Sequence, residues 1–208
     1  MVTFSLYSAL IIPLKMDKNW IIQKYSNIPE NKVTFTNQSL LLEVRKSASP
    51  LFFKLDHETL VSNILVEGNV DKLIRLKDPS KQGAKGQDDY VLRFGLVVSG
   101  KKKLSFMQKI IAPEWIKTLY RSFASYPGIG YVHFYNITQN SKQLGKSRVH
   151  PATKLIRETF VGLIQKPGPF HFSYKLPQKL KVIGLWIGAD GDDTDSKFNV
   201  LIKKIKLN

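Results

Sequence analysis

Residues 182–187 have the sequence Val-Ile-Gly-Leu-Trp-Ile, an apolar run of mainly β-branched and aromatic side chains. Such residues favour β-strands. The run leads through Gly188 and Ala189 into residues 190–195, which place four carboxylates within six positions of a strongly basic chain. We call residues 190–195 the acidic turn. An apolar strand that ends in clustered carboxylates predicts a sheet with a charged site at one end.

Further runs of the same kind occur along the chain, and they are bounded by Pro, Gly, Asn, Asp or Ser. They cover residues 40–44, 51–55, 64–66, 90–98, 131–135, 170–174 and 198–207. Many short strands with few helical patterns between them indicate a mainly all-β fold, a β-sandwich with jelly-roll-like topology. We see no composition boundary, so we expect a single domain over residues 1–208.

One segment has helical rather than strand periodicity. Pro113 suits a first helical position, and Ile116, Leu119, Tyr120 and Phe123 recur at a spacing of about 3.6 residues. The pattern predicts one short inserted helix near residues 113–124. This helix either closes one end of the sandwich or, with lysines beside its apolar stripe, attaches to a membrane surface.

The charge of the chain points to anionic partners. The formal net charge is +16, from 32 Lys and Arg against 16 Asp and Glu, and most of the cations are lysines. Lysine suits diffuse attraction to polyanions, including acidic glycans and anionic lipid surfaces. Cysteine is absent, which excludes disulfides and thiol catalysis. Residues 1–14 are apolar but lack the preceding cation of a secretory signal, so the chain is either cytosolic or has lost a signal.

The acidic turn is open to three interpretations. Its carboxylates, with donors recruited from Asp88 and Asp89, could hold Ca²⁺, and Asp190 and Asp192 are the candidate ligands. The spacing of a helix-loop-helix calcium site fails, because Asp195 stands where Gly is required. The alternatives are a polar turn paired with lysines and a catalytic carboxylate pair.

Arg93 lies within the apolar run 90–98, where a charge needs a partner. In an extended strand Asp89 and Arg93 share a face but are about 13 Å apart, which is too far for contact. We therefore expect Arg93 to find a carboxylate from another strand, and the acidic turn is one candidate.

His133 lies between aromatic residues in the sequence Tyr131-Val132-His133-Phe134-Tyr135. An aromatic strand with one polar side chain suits a platform for sugar rings, although such strands also form ordinary cores. The chain lacks the aromatic motif of RNA-binding sheets, so we do not expect specific recognition of nucleic acid.

Four segments, taken in order, resemble a bacterial family of domains of unknown function, the one numbered 3047. They are Ser47-Ala48-Ser49-Pro50-Leu51, residues 86–93, residues 131–135 and residues 183–194. The resemblance spans residues 40 to 205 and implies an exported or envelope protein with a sandwich-type fold and no assigned activity. It matches the family's motifs at Asp88, Asp89, Arg93, Asp190, Asp192 and Thr194. The chain departs from the family at residues 62–67, which lack the expected Trp, and at residues 101–126, which look like an insertion.

Together these observations predict a non-catalytic binding module of the bacterial envelope, periplasmic or extracellular, that engages an anionic glycan or another polyanion. The predicted ligand-binding residues are Asp88, Asp89, Arg93, His133, Asp190, Asp192 and Thr194, and the expected cofactor is either none or Ca²⁺. The alternatives are an enzyme that acts on polysaccharide through an Asp pair and a peripheral membrane-associated protein.

Overall fold

In a computed structural model of the protein, residues 9–36, 38–151 and 153–208 are described. Their strands are β1 Leu10–Ile11, β2 Trp20–Ile22, β3 Lys32–Phe35, β4 Leu40–Arg45, β5 Leu51–Val70, β6 Leu92–Ser99, β7 Ile129–Thr138, β8 Ser147–Val149, β9 Ile156–Leu163, β10 Gly168–Gly188 and β11 Lys197–Leu207. The helices are α1 Phe106–Ile111 and α2 Glu114–Ser122, and a 3-10 turn covers Pro79–Lys81. The mainly all-β class predicted from sequence is confirmed.

Within these residues the strands form one 11-stranded sheet, in the order β3-β4-β11-β5-β10-β6-β7-β9-β8. Two short strands lie outside this order: β1 pairs with β11, and β2 pairs with β5. Neighbouring strands run antiparallel except β7 and β9, which are parallel. Both ends of the described chain therefore meet in the same sheet, because β1 and β11 lie side by side.

The two longest strands, β5 and β10, extend from one layer of the sheet into the other. β10 pairs with β5 along most of its length, but only its end, from Val182 onward, also pairs with β6. Phe94 of β6 contacts Phe172 of β10, with ring centroids 6.3 Å apart. Phe94 pairs with Ile187, which would lie roughly 50 Å from Phe172 along a flat strand. The sheet therefore folds over itself into a sandwich, as predicted.

The two long strands, β5 and β10, each join two runs that the sequence presents as separate strands. Residues 51–55 and 64–66 belong to β5, and residues 170–174 and 182–187 belong to β10. A register shift lies between Val182 and Gly184, where β10 pairs with both β5 and β6. This irregularity lets one strand serve both layers, because bulges bend a strand and increase its twist.

The main core lies between the two layers. On β6, Leu92, Phe94, Leu96 and Val98 lie on one face of the strand and are all buried in this core. Burying each such side chain contributes about 1.5–3 kcal/mol before conformational entropy is subtracted. The apolar segment 1–14 begins outside the described residues, and its Ile12 and Leu14 are buried in the same core.

A second apolar cluster lies on the outer face of the layer that contains β6 and β7. Phe52, Phe134 and Trp186 pack there against Leu119 and Phe123 at the end of α2. The predicted helix near residues 113–124 is confirmed, and its apolar stripe faces the sheet rather than solvent. The preceding helix α1 was not predicted. No helix among the described residues is long and apolar enough to cross a membrane.

Candidate functional site

The acidic turn and the loop before β6 meet at the end of β10. The backbone N–H of Asp190 donates to the carbonyl of Tyr90 at 3.1 Å, and that of Gly191 donates to Ser47 at 3.1 Å. The backbone N–H of Asp88 donates to Asp193 Oδ2 at 3.1 Å. The two carboxylate clusters, in which Asp88 and Asp193 are 105 residues apart in sequence, are therefore brought together as expected.

Arg93 lies at the centre of this cluster. Its Nε donates to Asp190 Oδ2, and its Nη2 donates to the backbone oxygen of Asp88. The Asp88 carboxylate is 3.3 Å from the same Nη2. The predicted partner of Arg93 on another strand is thus confirmed as Asp190. The guanidinium also lies over the ring of Tyr90, with Cζ 4.3 Å from the ring centroid.

Glu158 on β9 is a member of this site that the sequence did not reveal. Its side chain is fully buried, and Oε1 accepts from Arg93 Nη1 at 2.9 Å and from Asn136 Nδ2 at 2.8 Å. Its other oxygen accepts from Arg148 Nε at 2.6 Å. Because Arg148 also contacts Asp88 at 3.4 Å, two arginines and three carboxylates form one network.

Asp89 holds the acidic turn in place. Its Oδ2 accepts from the backbone N–H of Thr194 at 2.8 Å and from the Thr194 hydroxyl at 2.6 Å. Thr194 in turn shares a hydrogen bond with Ser196 at 2.6 Å. Asp89 is 1% exposed, so these bonds replace the water that its carboxylate loses on folding. Asp89 and Thr194 therefore position the site by fixing its loops.

The carboxylates of the site have divergent pKa values. Burial raises the pKa of Asp190 to about 7, against the lowering effect of Arg93. Burial also raises the pKa of Asp89 to about 6, despite the hydrogen bonds from Thr194. For Asp88 burial acts in the same direction, but Arg93, His150 and Arg148 outweigh it and lower the pKa. Asp192 has a raised pKa because of burial and the nearby Asp193 charge.

A cavity of about 350 Å³ opens beside these carboxylates. Its polar lining residues are Asp88, Asp89, Arg93, His150, Asp190, Asp192 and Asp193. Its aromatic lining residues are Tyr25, Trp115, Phe134 and Trp186. Trp186 contacts Trp115 and Phe134 edge-on, with centroids 5.6 and 5.3 Å away. We call this cavity the aspartate cleft.

His133 lies apart from the other six predicted site residues. It alternates with Phe134 along β7, so its ring points away from the face on which Phe134 lines the cleft. The ring stacks on Tyr135 at 4.6 Å, and its Nε2 shares a hydrogen bond with Thr159 at 2.8 Å. Burial and the Arg157 charge lower its pKa to about 4. A neutral imidazole here supports packing, and the structure gives no support to a role for His133 in the cleft.

The donors of the site do not fit the predicted Ca²⁺. Calcium requires six to eight oxygen ligands. Asp190 Oδ2 accepts from Arg93, whose permanent charge offsets the carboxylates in place of a metal. In the described part of the chain, no three His, Asp or Glu residues are placed to hold a metal ion. The prediction of a Ca²⁺ site at Asp190 and Asp192 is therefore not supported.

The residues that sequence reasoning missed are Arg148, Glu158, Asn136 and the aromatic lining. Glu158 carried the same signal as Arg93, a charge between apolar positions, here Ile156 and Phe160. Its partner could not be identified locally, because the parallel pairing of β7 with β9 places it beside Asn136. Trp115 lies on α2. The helical spacing of that segment places it beside the apolar stripe and so gave no reason to single it out.

No protein-family model and no curated protein matches the chain. The resemblance to the family numbered 3047 therefore stays a prediction.

Among solved structures, a carbohydrate-binding module, CBM27-1 of Caldicellulosiruptor saccharolyticus in complex with mannohexaose, is 12% identical, with 96% of each chain covered and a TM-score of 0.38. The exoplasmic/lumenal domain of VIP36 in a Ca²⁺/mannose-bound form is 10% identical over 96% of this chain and 88% of that one, with a TM-score of 0.39. The enzymatically active domain of bacteriophage CBA120 tailspike protein 4 is 7% identical with a TM-score of 0.41. The match covers 92% of this chain, which spans a fifth of that one. Similarity at this level says nothing about what this chain binds.

Proposed function

We propose that this protein is a glycan-binding module whose ligand lies in the aspartate cleft. The observation that carries the proposal is a cleft lining that combines aromatic side chains with polar side chains held in place by ion pairs. Sugar rings lay apolar faces on aromatic side chains while their hydroxyls form hydrogen bonds. The cavity volume of about 350 Å³ is within the range of small-ligand sites.

The polar side chains of the cleft are preorganised to bind hydroxyl groups. Arg93 and Glu158 hold each other in the floor, and Asp190 and Asp88 are held by Arg93. Side chains that are already ordered lose little conformational entropy when a ligand binds. Carboxylate oxygens that remain accessible accept hydrogen bonds from sugar hydroxyls, and such bonds to charged groups are stronger than neutral ones. Asp192 and Asp193 provide further acceptors at the rim.

The charge of the cleft favours a neutral glycan. Five aspartates line it, and no lysine occurs among the described residues of its lining. The lysines through which the sequence predicted binding of an anionic glycan therefore lie elsewhere on the surface. Inside the cleft, an anionic sugar would meet like charges at close range, which costs free energy. A polyanion bound by the surface lysines would instead lose affinity as salt rises above about 0.15 M.

Calorimetric titration of the full chain with neutral and acidic oligosaccharides tests the proposal. We expect binding of a neutral glycan with little salt dependence. Trp115→Ala should weaken that binding about tenfold or more, as loss of a central aromatic contact does. Tyr120→Ala is the matched control, because Tyr120 is on the same helix but lines a different cavity. The proposal fails if no neutral glycan binds, or if Trp115→Ala and Tyr120→Ala bind alike.

A polysaccharide-cleaving enzyme is the second candidate. It is favoured by one observation, that Asp88 and Asp190 line the same cleft with pKa values shifted in opposite directions. Divergent carboxylates of this kind are typical of general acid and base pairs. We rank it second because Arg93 engages both carboxylates. Release of reducing ends from a bound glycan, abolished in Asp190→Asn, would establish catalysis, and intact glycan after prolonged incubation would exclude it for that substrate.

The envelope location and membership of the family numbered 3047 are part of this proposal. They rest on the sequence motifs described above, and the positions of Asp88, Asp89, Arg93, Asp190 and Thr194 in one connected site are compatible with them. Fractionation of the native host, with the protein detected by antibody, tests the location. Recovery in the cytosolic fraction would contradict it.

A further inference from the structure

The face built by α1 and the start of α2 combines exposed apolar side chains with cations. On α1 the exposed fractions are 78% for Phe106, 62% for Met107, 58% for Ile110 and 73% for Ile111. Large apolar side chains on four of six consecutive positions form a contiguous exposed patch, and soluble monomers seldom leave such a patch without a function. Other exposed apolar residues, such as Ile11 and Val149, lie on separate strands.

Basic side chains surround this patch. Between Gly100 and Phe123 the chain carries Lys101, Lys102, Lys103, Lys109, Lys117 and Arg121 against a single carboxylate, Glu114. Glu114 is paired with Arg121 at 2.5 Å, so it does not cancel the charge of the lysines on α1 or before it. Lys117 Nζ donates to the backbone oxygen of Ile110 at 3.1 Å and thereby links α1 to α2.

A cavity of about 540 Å³ lies next to the patch. Its rim carries Lys103, Lys109, Lys117 and Arg121, and its apolar floor includes Leu104, Tyr120, Phe123, Tyr126 and Ile129. Four cations above an apolar floor suit an anionic amphiphile, whose charged group meets the rim while its apolar part meets the floor. We call this cavity the basic cavity.

We propose that this face docks on an anionic lipid bilayer, with the side chains of α1 in the interfacial region and a lipid phosphate in the basic cavity. Amphipathic segments bind membranes through buried apolar area together with electrostatic attraction. Lysines close to an anionic surface strengthen such binding. The sequence had placed possible membrane contact on the stripe of residues 113–124. The structure buries Leu119 and Phe123 of that stripe against the sheet, so the exposed contact lies on α1 instead.

The charge distribution favours a lipid surface over the other possible occupants. A second copy of the chain would bring the same lysines against these, and like charges at an interface are unfavourable. A polyanion such as an acidic glycan would use the lysines but would leave Phe106, Ile110 and Ile111 exposed. An anionic bilayer satisfies both parts of the face at once.

Flotation of the full chain with liposomes tests this inference. One set of vesicles contains only phosphatidylcholine and the other adds phosphatidylglycerol. We expect flotation mainly with the anionic vesicles and less of it when the salt is raised above about 0.15 M. Phe106→Ser combined with Ile110→Ser should reduce bound protein about tenfold. The matched control, Ile11→Ser combined with Val149→Ser, also removes two exposed apolar side chains and should float as the native protein does.

Three results would overturn the proposal. They are no flotation with either vesicle, equal flotation of the α1 variant and its control, and a dimer in sedimentation that the α1 variant abolishes. Circular dichroism confirms that each variant is folded. Trp115→Ala should float normally, so failure of glycan binding and failure of lipid binding are distinguishable.

Discussion

The guanidinium of Arg93 and the carboxylate of Glu158 are joined at 2.9 Å, although the residues are 65 positions apart and belong to β6 and β9. Glu158 is fully buried, and the side chain of Arg93 is 11% exposed. The strand between them, β7, contributes Asn136, which donates to the same Glu158 oxygen. The pair therefore joins three strands beneath the aspartate cleft and fixes the side chains that line it.

Removal of the buried carboxylate should be strongly destabilising. Glu158→Ala removes the buried carboxylate that pairs with both Arg93 and Arg148, and we expect the free energy of unfolding to fall by about 3–5 kcal/mol. Urea denaturation of the folded variant measures this. The control is Glu30→Ala, which breaks the exposed pair with Lys24 and should cost no more than about 1 kcal/mol. Equal losses in the two variants would show that the network beneath the cleft does not stabilise the fold.

Thr194 should matter most when Asp89 is ionised. Thr194→Val removes the hydroxyl that donates to Asp89 Oδ2 at 2.6 Å. We expect a loss of about 1.5–3 kcal/mol, the range for a hydrogen bond to a charged group, at pH values above the Asp89 pKa of about 6. Below that pKa the carboxyl is protonated, the bond to it is weaker, and the loss should be smaller. Urea denaturation of both proteins across this pH range measures the difference. A loss that does not change with pH would contradict the assignment.

The raised pKa of Asp89 also gives a pH dependence of stability with a definite sign. The folded protein holds this proton up to about pH 6, whereas the unfolded chain releases it near pH 3.8. The associated stabilisation is complete below the unfolded pKa and is lost as the pH rises through the folded pKa. Asp89→Asn cannot lose a proton. Its free energy of unfolding relative to the native protein should therefore rise by about 2–3 kcal/mol across this window.

Parallel urea titrations of the native protein and Asp89→Asn at several pH values provide the measurement. Comparison of the two proteins cancels the effect of the net charge of +16, which destabilises both at low pH. The folded pKa of Asp88 is lowered, so its contribution is present above its unfolded pKa and is lost on acidification, in both proteins alike. Parallel stability curves would mean that Asp89 is not the group with the raised pKa.

Local sequence was sufficient to identify the parts of the site that break a pattern. Arg93 interrupts an apolar strand, and Asp190 directly follows another. Each pattern predicts a charged partner, because an unpaired charge is costly in an apolar core. Their meeting follows from antiparallel pairing of β6 with β10, which places Arg93 opposite Gly188, two residues before Asp190. The same local patterns predicted α2, because its buried stripe is periodic.

Other features depend on long-range geometry that no local pattern contains. Glu158 reaches Arg93 only because β9 runs parallel to β7, and parallel strands require a long crossover that sequence does not specify. Whether His133 or its neighbour Phe134 points into the cleft depends on which side of β7 the cleft lies, and the sequence does not show this side. Helix α1 is only six residues long, and so short an apolar pattern does not distinguish a helix from a strand or a loop.

Gly184 should be required where β10 passes from one layer to the other. A Cβ built there would be 2.6 Å from the Cζ of Phe123 and 2.6 Å from the backbone oxygen of Phe53. Since Phe53 belongs to the neighbouring strand and Phe123 is buried, neither can move without disturbing the sheet or the packing of α2. We expect Gly184→Ala to lower the free energy of unfolding by about 1–3 kcal/mol or more, the range for overpacking a core. Gly162→Ala on β9 is the control, because its Cβ would meet only the side chain of Ile137, at 3.3 Å. Urea denaturation of the two variants should give the larger loss for Gly184→Ala, and an equal or smaller loss would mean that the strand passes this point with room for a side chain.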